Sequence, residues 1–482
     1  MLPIVTPEEM ARADERAVAA GTSVAVLMER AGNAVAWAVR RACGGTYGKR
    51  VVVVCGKGNN GGDGLVAARV LRGWGVRVDV FELVNAIDQR RFERAVARAN
   101  CVVDAMFGTG FRGALEDDAR WAADAMHESM AYVIAVDIPS GVNGATGAIV
   151  DEAVWADETV CFAALKPGLV LEPGRSYAGR VQVVDIGIDV ATDDADALGV
   201  TEERDLAGWI PPRPVTAHKW LSGLMVVGGS SGMTGAPTMV SHAAMRAGAG
   251  IVWCEVPGDE AAARAGGTEV IARGLPATKS GALAEEAADE VLAALDRFKP
   301  VVVGPGLGTR GPTAAAVRRI VTKATVPMVL DADGLNGLKG DLRLLQGRDA
   351  PTVLTPHDAE YQRLTGDVPG PDRIAAARTL ARATGCVALL KGPATVIADP
   401  SGRTAVNPTG TPALATAGTG DVLSGIIGGF LARGAGPFEA AAAAAFVHGK
   451  AAEVAGHAGL VAGDLIEALP ATLRELHLDS EA

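Results

Sequence analysis

The 482-residue chain carries 45 Lys and Arg against 56 Asp and Glu, a net charge of −11, and 49% of its residues are hydrophobic. This length is too great for one ordinary hydrophobic core and sufficient for two domains. The negative charge disfavours nucleic acid and anionic lipid as partners, since no basic stretch of sequence offsets it.

The six cysteines are scattered without a CxxC pair, so we expect reduced thiols. The first residues do not resemble a secretory signal, and no apolar run approaches about 18 residues. The sequence therefore predicts a cytoplasmic protein that has no membrane partner.

The first third of the chain has the pattern of a parallel α/β sheet. Thr6-Pro7-Glu8-Glu9 combines an N-cap residue, a proline at the first helical position and a carboxylate three residues after the cap, which predicts a helix. A second helix is predicted over 23–42. Short β-branched runs then alternate with helical stretches, which predicts a Rossmann-like, three-layer αβα domain. The predicted strands are 51–55, 76–83, 101–107, 132–137, 159–165 and 181–186.

The alternation stops over 191–217, where an acidic cluster and three prolines follow one another without periodicity. We place a domain boundary near Pro212, which gives domains 1–212 and 213–482. The second domain resumes the alternation and closes with alanine-rich helices, as expected for a second α/β domain. Its predicted strands are 224–227, 251–256, 301–303, 328–330, 352–354, 387–390 and 395–398.

A glycine-rich segment follows the first predicted strand. Residues 56–61, GKGNNG, match the G-x-G-x-x-G fingerprint, and Glu82 follows about twenty residues later, so a plain dinucleotide site stays open. The segment continues as Gly62-Asp63-Gly64. Two carboxamides and a carboxylate stand where a pyrophosphate needs bare backbone N–H groups. We therefore expect a polar ligand held by side chains as well as backbone.

Polar residues also end other strands of this sheet. Asp104, Asp137 and Ser140 close two apolar runs, and strand ends of an open α/β sheet line its ligand crevice. Asn60, Asp104 and Ser140 offer hard oxygen atoms, which suit an alkali cation rather than zinc. The alternative is that they are ordinary turn and capping residues.

The stretches LMERAG, GKGNNGGDGLVAARVL, VVDAMFGTGFRG, VDIPSGVNG and FAALKPGL resemble the NAD(P)H-hydrate epimerases across roughly residues 1–210. The resemblance implies interconversion of R and S hydrates at C6 of the reduced nicotinamide, and a potassium ion at Asn60, Asp104 and Ser140. Asp137 is our candidate acid–base, supported by Lys166 at the rim of the site, although a solvated surface lysine stays open. The implied substrate contacts are Asn59, Asn60, Gly61, Gly62, Asp63, Gly108, Thr109, Gly110, Phe111, Arg112, Gly113, Ala114 and Asp137.

A second glycine-rich segment, Ala417-Gly418-Thr419-Gly420-Asp421, leads into a predicted helix. Its backbone N–H groups and the positive end of the helix can bind a transferring phosphoryl group. Asp421 is the candidate base, and we expect the helix dipole to stabilise it as an anion. The alternative is a glycine turn capped by an aspartate. No Walker A sequence is present, so a P-loop fold is unsupported.

Several further segments follow predicted strands of the second domain and describe a crevice: GGSSGMTGA, GPGLG, DADGLN, TPHDAE, KGPAT and NPTG. A lone histidine is most often structural, but His357 follows a strand and a proline and lies near Glu360. This position favours ligand contact.

The segments LATAGTGDVLSGIIGGFLARG and TPHDAEYQRLTG resemble the ribokinase-like superfamily, and most closely the NAD(P)H-hydrate dehydratases, across roughly residues 213–482. The resemblance implies that Asp421 deprotonates the C6 hydroxyl while ADP phosphorylates it with Mg²⁺ present, after which phosphate leaves and NAD(P)H is restored. The implied contacts to the S hydrate are Ala236, Gly308, His357 and Asp421. The implied nucleotide contacts are Lys391, Gly392, Pro393, Ala394, Thr395 and Gly420. The chain departs from the family at Trp220 and Ala417, where glycine is usual, and at Asp358-Ala359, where Pro-Gly is usual.

The sequence thus predicts a bifunctional enzyme that acts on hydrated NADH and NADPH and uses an adenine nucleotide; we also expect a homo-oligomer. Two alternatives stay open. The second domain could be a small-molecule kinase with the first as a nucleotide-binding module, or the first domain could bind a ligand without catalysis.

Overall fold

The computed structural model describes residues 1–85, 87–190 and 197–478. The chain divides into two compact units, Leu2–Asp193 and Asp194–Ala482, the second of which also takes Met1. The predicted boundary near Pro212 lies further along the chain, and residues 191–196, on which it partly depends, lie outside the described residues. None of the described helices is long and apolar enough to cross a membrane.

The first unit is built as the sequence predicts. The helix at Thr6 is confirmed, with the Thr6 and Glu9 side chains each accepting a hydrogen bond from the other's backbone N–H. The helices are α1 Pro7–Ala19, α2 Val24–Ala42, α3 Asn59–Gly73, α4 Gln89–Val96, α5 Asp117–His127 and α6 Gly174–Tyr177. The strands are β1 Leu2–Pro3, β2 Arg50–Cys55, β3 Arg77–Glu82, β4 Cys101–Ala105, β5 Tyr132–Val136, β6 Glu158–Phe162 and β7 Arg180–Val184.

A six-stranded sheet, in the order β3-β2-β4-β5-β6-β7, forms the centre of this unit, and all its pairs are parallel. Alternate residues of β2 pack in separate cores, with Val51 and Val53 on one face and Val52 and Val54 on the other. This confirms the three-layer αβα architecture. The strand predicted over 159–165 ends early, because a left-handed turn at Ala163 (φ 63°) breaks it.

The second unit is a larger α/β fold. Its helices are α7 Glu203–Trp209, α8 Gly235–Arg246, α9 Asp259–Ala265, α10 Ala287–Ala294, α11 Gly311–Lys323, α12 Asp333–Leu338, α13 Arg343–Gln346, α14 Asp358–Thr365, α15 Arg373–Thr384, α16 Thr419–Arg433, α17 Pro437–Ala455 and α18 Ala462–Glu475. Its strands are β8 Leu198–Val200, β9 Gly223–Val227, β10 Ile251–Pro257, β11 Ile271–Leu275, β12 Val301–Val303, β13 Met328–Leu330, β14 Thr352–Leu354, β15 Val387–Leu390, β16 Val396–Ala398 and β17 Thr404–Val406.

The strands of this unit follow the order β8-β17-β16-β15-β14-β13-β12-β9-β10-β11. The pairs from β15 to β11 are parallel, whereas β16 is antiparallel to both of its neighbours. Strands β8, β11 and β17 were not predicted. They are short or lie at the sheet edge, where the apolar signal is weak. The alanine-rich helix α17 is buried in the core, as its composition predicts.

Candidate functional site

A cavity of about 860 Å³ opens at the carboxyl ends of the strands in the first unit. Its floor is formed by residues that follow β2, β4, β5 and β6, and helices α1 and α2 supply further lining side chains. Such a position is where an open α/β sheet binds its ligand. The lining includes Asp14, Met28, Gly56, Asn59, Asn60, Asp63, Met106, Asp137, Phe162 and Lys166.

The glycine-rich segment bounds this cavity but is more helical than the sequence suggests. A Cβ on Gly56 would lie 1.8 Å from the Met106 carbonyl oxygen, so only glycine fits. Because α3 begins at Asn59, the polar residues after it occupy its first turns. Asn59, Asn60 and Asp63 line the cavity. Gly61 and Gly62 do not line it; Gly62 packs against Met28, whose Cε would lie 2.5 Å from an added Cβ.

The segment after β4 contributes only its first part to the lining. Gly108, Thr109, Gly110 and Phe111 line the cavity, whereas Arg112, Gly113 and Ala114 do not. The Arg112 guanidinium donates to the carbonyls of Thr109 and Phe111 at 3.2 and 2.9 Å and pairs with Glu8 at 3.1 Å. It therefore holds the shape of the lining segment.

Asp137 and Lys166 form a buried ion pair at the bottom of the cavity. Asp137 follows β5 with φ 66°, a left-handed conformation that is uncommon outside glycine but that aspartate adopts more readily than most residues. Its Oδ1 accepts a hydrogen bond from Lys166 Nζ at 2.6 Å. Lys166 is 1% exposed and also donates to the Phe162 carbonyl at 2.8 Å. The rim position and the solvated lysine expected from the sequence are both wrong, because the turn at Ala163 brings the chain back to Asp137.

Burial and neighbouring charges shift the pKa values of two groups in the cavity, Asp63 and Lys166. Burial raises the pKa of Asp63 to about 8, and the negative charges of Asp137 and Asp14 add to the rise. Burial alone would lower the pKa of Lys166, but Asp137 and Cys161 raise it above its ordinary value. Near neutral pH the cavity therefore holds a protonated acid at Asp63 and a charged lysine against Asp137.

Asp14 is a cavity residue that sequence reasoning missed. It lies on α1 one turn after Met10, which also lines the cavity. Burial, and then the charge of Asp137, raises the pKa of Asp14. The signal that could have found it is an aspartate on the apolar side of an amphipathic helix.

The three side chains predicted to hold an alkali cation meet at one place. Ser140 donates to Asp104 through its hydroxyl at 2.6 Å and its backbone N–H at 2.8 Å. Asn60 Nδ2 donates to the Phe107 carbonyl at 3.0 Å, and the Phe107 N–H donates to Ser140 Oγ at 3.0 Å. Asp104 is fully buried, and burial raises its pKa to about 6. A buried carboxylate beside amide, hydroxyl and carbonyl oxygens fits a potassium ion.

In the second unit, Asp331 connects the carboxyl ends of three strands to helix α16. Its Oδ1 accepts from Thr355 Oγ1 at 2.7 Å and Lys391 Nζ at 3.0 Å, and its Oδ2 accepts from Ser424 Oγ at 2.8 Å. Burial opposes ionisation of Asp331, but Lys391 and the two hydroxyls outweigh it and lower its pKa. Lys391 Nζ also lies 3.5 Å from Glu360. Sequence reasoning did not assign Asp331 or Ser424.

The second glycine segment forms the start of α16. Gly418 has φ 89°, which a side chain would strain, and it precedes Thr419. Ala417 is not in the left-handed region, so its extra methyl group introduces no such strain. The buried His448 lies 2.9 Å from the Thr419 carbonyl, and burial lowers its pKa to about 4. His448 is therefore neutral and donates to that carbonyl.

Asp421 lies in the first turn of α16, and its ionisation differs from the expected one. Burial raises the pKa of Asp421 to about 7, the charge of Asp331 adds to this, and Lys391 opposes it. The helix dipole was expected to favour the anion, but burial and a neighbouring carboxylate are the larger effects. Asp421 is therefore divided between its two protonation states near neutral pH.

His357 is the N-cap of α14. Its Nδ1 accepts from the backbone N–H groups of Ala359 and Glu360 at 3.1 and 3.3 Å, and Glu360 accepts from the His357 N–H at 2.9 Å. The imidazole is 49% exposed, with Nε2 3.5 Å from Glu360 Oε1. The ring thus has a structural role and still presents one edge outward.

The remaining predicted contacts lie at helix starts and in segments that follow strands. Ala236 is in the first turn of α8, where its Cβ lies 3.3 Å from the Cβ position of Gly306, and Gly308 donates to Asp333 Oδ2 at 2.8 Å. The Cβ position of Gly420 lies 3.7 Å from Lys391 Nζ, which joins α16 to the segment after β15. In that segment Gly392 and Pro393 are exposed, Thr395 is half-buried and Ala394 is buried.

Trp220, where the chain departs from its resemblance, packs in an aromatic cluster. Its ring lies 6.1 Å from that of Trp253 and 5.7 Å from that of Phe298, and the Arg297 guanidinium lies 4.6 Å from it. Packing therefore accounts for this tryptophan.

Comparison with known proteins identifies both units. A family model described as YjeF-related protein N-terminus matches residues 24–96 and 82–168. A model described as NAD(P)H-hydrate dehydratase matches residues 224–472, more than half of the chain.

Full-length relatives match across both units. The bifunctional NAD(P)H-hydrate repair enzyme of Moorella thermoacetica is 39% identical over 500 residues, covering 95% of this chain and 93% of the relative. The bifunctional NAD(P)H-hydrate repair enzyme of Salinibacter ruber is 39% identical over 522 residues, covering 98% of this chain and 96% of the relative. The solved structure of a ribokinase-like superfamily protein from Enterococcus faecalis is 22% identical in sequence and matches with a TM-score of 0.50. The match covers 59% of this chain and 98% of the Enterococcus faecalis chain. This likeness confirms the ribokinase-like fold.

Proposed function

The chain belongs to the family of bifunctional NAD(P)H-hydrate repair enzymes, and we propose that its two units carry out successive steps of that repair. The first unit interconverts the R and S hydrates of NADH and NADPH. The second dehydrates the S hydrate with an adenine nucleotide. The observation that carries the proposal is Asp421, a carboxyl group poised near neutral pH at a glycine-bounded helix start.

Epimerisation requires a proton donor and a proton acceptor around one substrate. Asp63, which holds a proton near neutral pH, is the donor in our proposal, and Asp137 is the acceptor. Lys166 contacts Asp137 Oδ1 at 2.6 Å and fixes its orientation. The predicted contacts that line the cavity bind the substrate, while Arg112 shapes the lining segment.

A potassium ion would be held by Asn60, Asp104 and Ser140. The ion would supply positive charge beside the fully buried Asp104 and thereby fix the ends of β4 and β5 at the cavity. The side chains that line the cavity then bind and orient the substrate.

Dehydration begins, in our proposal, when Asp421 accepts the proton of the C6 hydroxyl. The hydroxyl oxygen attacks the terminal phosphoryl group of ADP, the bond between the two phosphates breaks, and AMP leaves; backbone N–H groups at the start of α16 stabilise the developing charge. Loss of phosphate from C6 together with a proton from C5 then restores the double bond of the reduced nicotinamide. Ala236, Gly308 and His357 contact the S hydrate.

In our proposal the nucleotide lies along residues 391–395, which begin with Lys391, and against Gly420. Mg²⁺ is proposed with the nucleotide, because this ion is commonly bound through phosphate oxygens with one or two carboxylates. ADP as the donor, the homo-oligomeric state and the cytoplasmic location stay predictions from the sequence.

The test is incubation of the full chain with hydrated NADH, Mg²⁺ and ADP. Return of the reduced-nicotinamide absorbance, from both R and S starting material, supports the proposal. Accumulation of a stable phosphorylated alcohol would instead support the small-molecule kinase. Recovery from S alone would leave the first unit as a ligand-binding module.

A further inference from the structure

Arg373, the first residue of α15, connects two segments of the dehydratase site. Its Nη2 donates to the backbone carbonyl of Lys391 at 2.7 Å, and its Nη1 lies 2.9 Å from an oxygen of Asp358. Asp358 directly follows His357, whereas Lys391 begins the segment assigned to the nucleotide. One guanidinium therefore ties the substrate side of the site to its nucleotide side.

The contact between Arg373 and the nucleotide segment is close and specific. A Cβ on Gly392 would lie 2.6 Å from Arg373 Nη2, so the guanidinium occupies the space that a side chain at 392 would need. The Arg373 side chain is only 13% exposed. Its Nε is buried and has no hydrogen-bond partner among the described residues.

Asp358 is 61% exposed, so its ion pair with Arg373 is weak as a source of stability. Its geometric effect is larger. A carboxylate on one side and a carbonyl on the other fix the planar guanidinium in a single orientation. In the Asp358-Ala359 pair, which departs from the usual Pro-Gly, Asp358 therefore orients the Arg373 guanidinium.

We propose that Arg373 is a positioning residue that holds the 391–395 segment in the conformation that binds the nucleoside diphosphate, with Asp358 orienting it. The inference rests on the proposed nucleotide site. Arg373 acts through the carbonyl of Lys391 and the backbone of Gly392, and it does not touch the reacting atoms.

The experiment measures binding of Mg·ADP to the full chain by calorimetry, together with KM for ADP and kcat for dehydration of the S hydrate. The variants are Arg373→Gln, Arg373→Lys, Asp358→Asn and the double variant Arg373→Gln/Asp358→Asn. Arg319→Gln, which breaks the ion pair between Arg319 on α11 and Asp289 on α10, is the matched control. Thermal unfolding is recorded for each variant. If Arg373→Gln does not fold, Arg373→Lys replaces it as the test of ADP binding.

We expect about tenfold weaker ADP binding in Arg373→Gln, the size expected for loss of one charged hydrogen bond, with kcat at saturating ADP little changed. Arg373→Lys should recover part of the loss, and Asp358→Asn should weaken binding by about two- to fivefold. The double variant should match Arg373→Gln, since Asp358 acts only through the arginine. The control should bind as the wild type does.

Unchanged ADP binding in Arg373→Gln overturns the inference and leaves the proposed function standing. A fall in kcat without a rise in KM for ADP also overturns it. Failure of the wild type to bind ADP overturns the proposed function, and the inference with it.

Discussion

Replacing Asp421 by asparagine should abolish dehydration while stabilising the protein above neutral pH. Asparagine keeps the shape of the side chain but cannot accept a proton. Loss of a general base lowers a rate by about 10²–10⁴-fold, so the dehydration rate should fall by at least that order. The wild-type rate should also rise with pH through about 7, where Asp421 ionises, and this dependence should disappear in the variant.

The stability change follows from the raised pKa. The pKa of Asp421 is about 7 in the folded chain against 3.8 ordinarily, a difference of about 3 units. At 1.36 kcal/mol per unit, ionised Asp421 costs the folded state up to about 4 kcal/mol. The cost is absent below pH 3.8, grows as pH rises towards 7 and is complete above it. Loss of the favourable dipole interaction, about 0.3–1 kcal/mol, is smaller, so Asp421→Asn should be more stable at pH 8.

The assay is denaturant unfolding of both proteins at pH 5 and pH 8, together with dehydration of purified S hydrate. The gain in unfolding free energy should be larger at pH 8 than at pH 5. Asp349→Asn, at an exposed position of the same unit, is the control and should show neither effect. A variant that dehydrates at nearly the wild-type rate, or that loses stability equally at both pH values, would refute the reasoning and make Asp421 a helix cap.

Four further outcomes are expected. Lys166→Met leaves Asp137 without its buried partner, so epimerisation should fall at least a hundredfold and unfolding free energy by about 3–5 kcal/mol, with dehydration of purified S hydrate retained; epimerisation within tenfold of wild type would contradict this. Epimerisation should decline as pH rises through about 8, where Asp63 loses its proton. An epimerisation rate that does not change between pH 7 and pH 9 would exclude Asp63 as the donor. Replacing choline chloride by potassium chloride at equal ionic strength should raise the unfolding midpoint of the wild type but not of Ser140→Ala; equal shifts in both would remove the cation from the site. Initial dehydration rates at equal nucleotide concentration should be higher with ADP than with ATP, and a clear advantage of ATP would make this prediction wrong.

The sequence predicts the position of a strand, and of the polar residue that ends it, best where both faces of the strand are buried. Continuous β-branched runs such as β2 are typical of strands buried on both faces, and the polar residue that ends such a run is expected at the carboxyl end of its strand. Asp104 and Asp137 are therefore placed by the pattern alone. Their neighbours across the sheet follow from the shared direction of parallel strands.

Side chains that reach a site from elsewhere leave no such signal. Lys166 looks like any lysine after a strand, and only the turn at Ala163 reveals that it points back to Asp137. Asp14 and Arg373 arrive from helices whose packing is decided by the whole fold. Each is a common residue on a common element, and local patterns do not encode which neighbour it meets.

Ionisation depends on the same tertiary information, and the two sites show why. In each, a lysine pairs with one aspartate: the buried Lys166 with Asp137, and the half-buried Lys391 with Asp331. Burial, and then the negative charge of the paired aspartate, opposes ionisation of a further acid in each site. The pKa of the neighbouring acid is therefore raised, to about 8 at Asp63 and about 7 at Asp421. An acid held near neutrality suits both of the proton transfers that we propose, with Asp63 giving up a proton and Asp421 taking one.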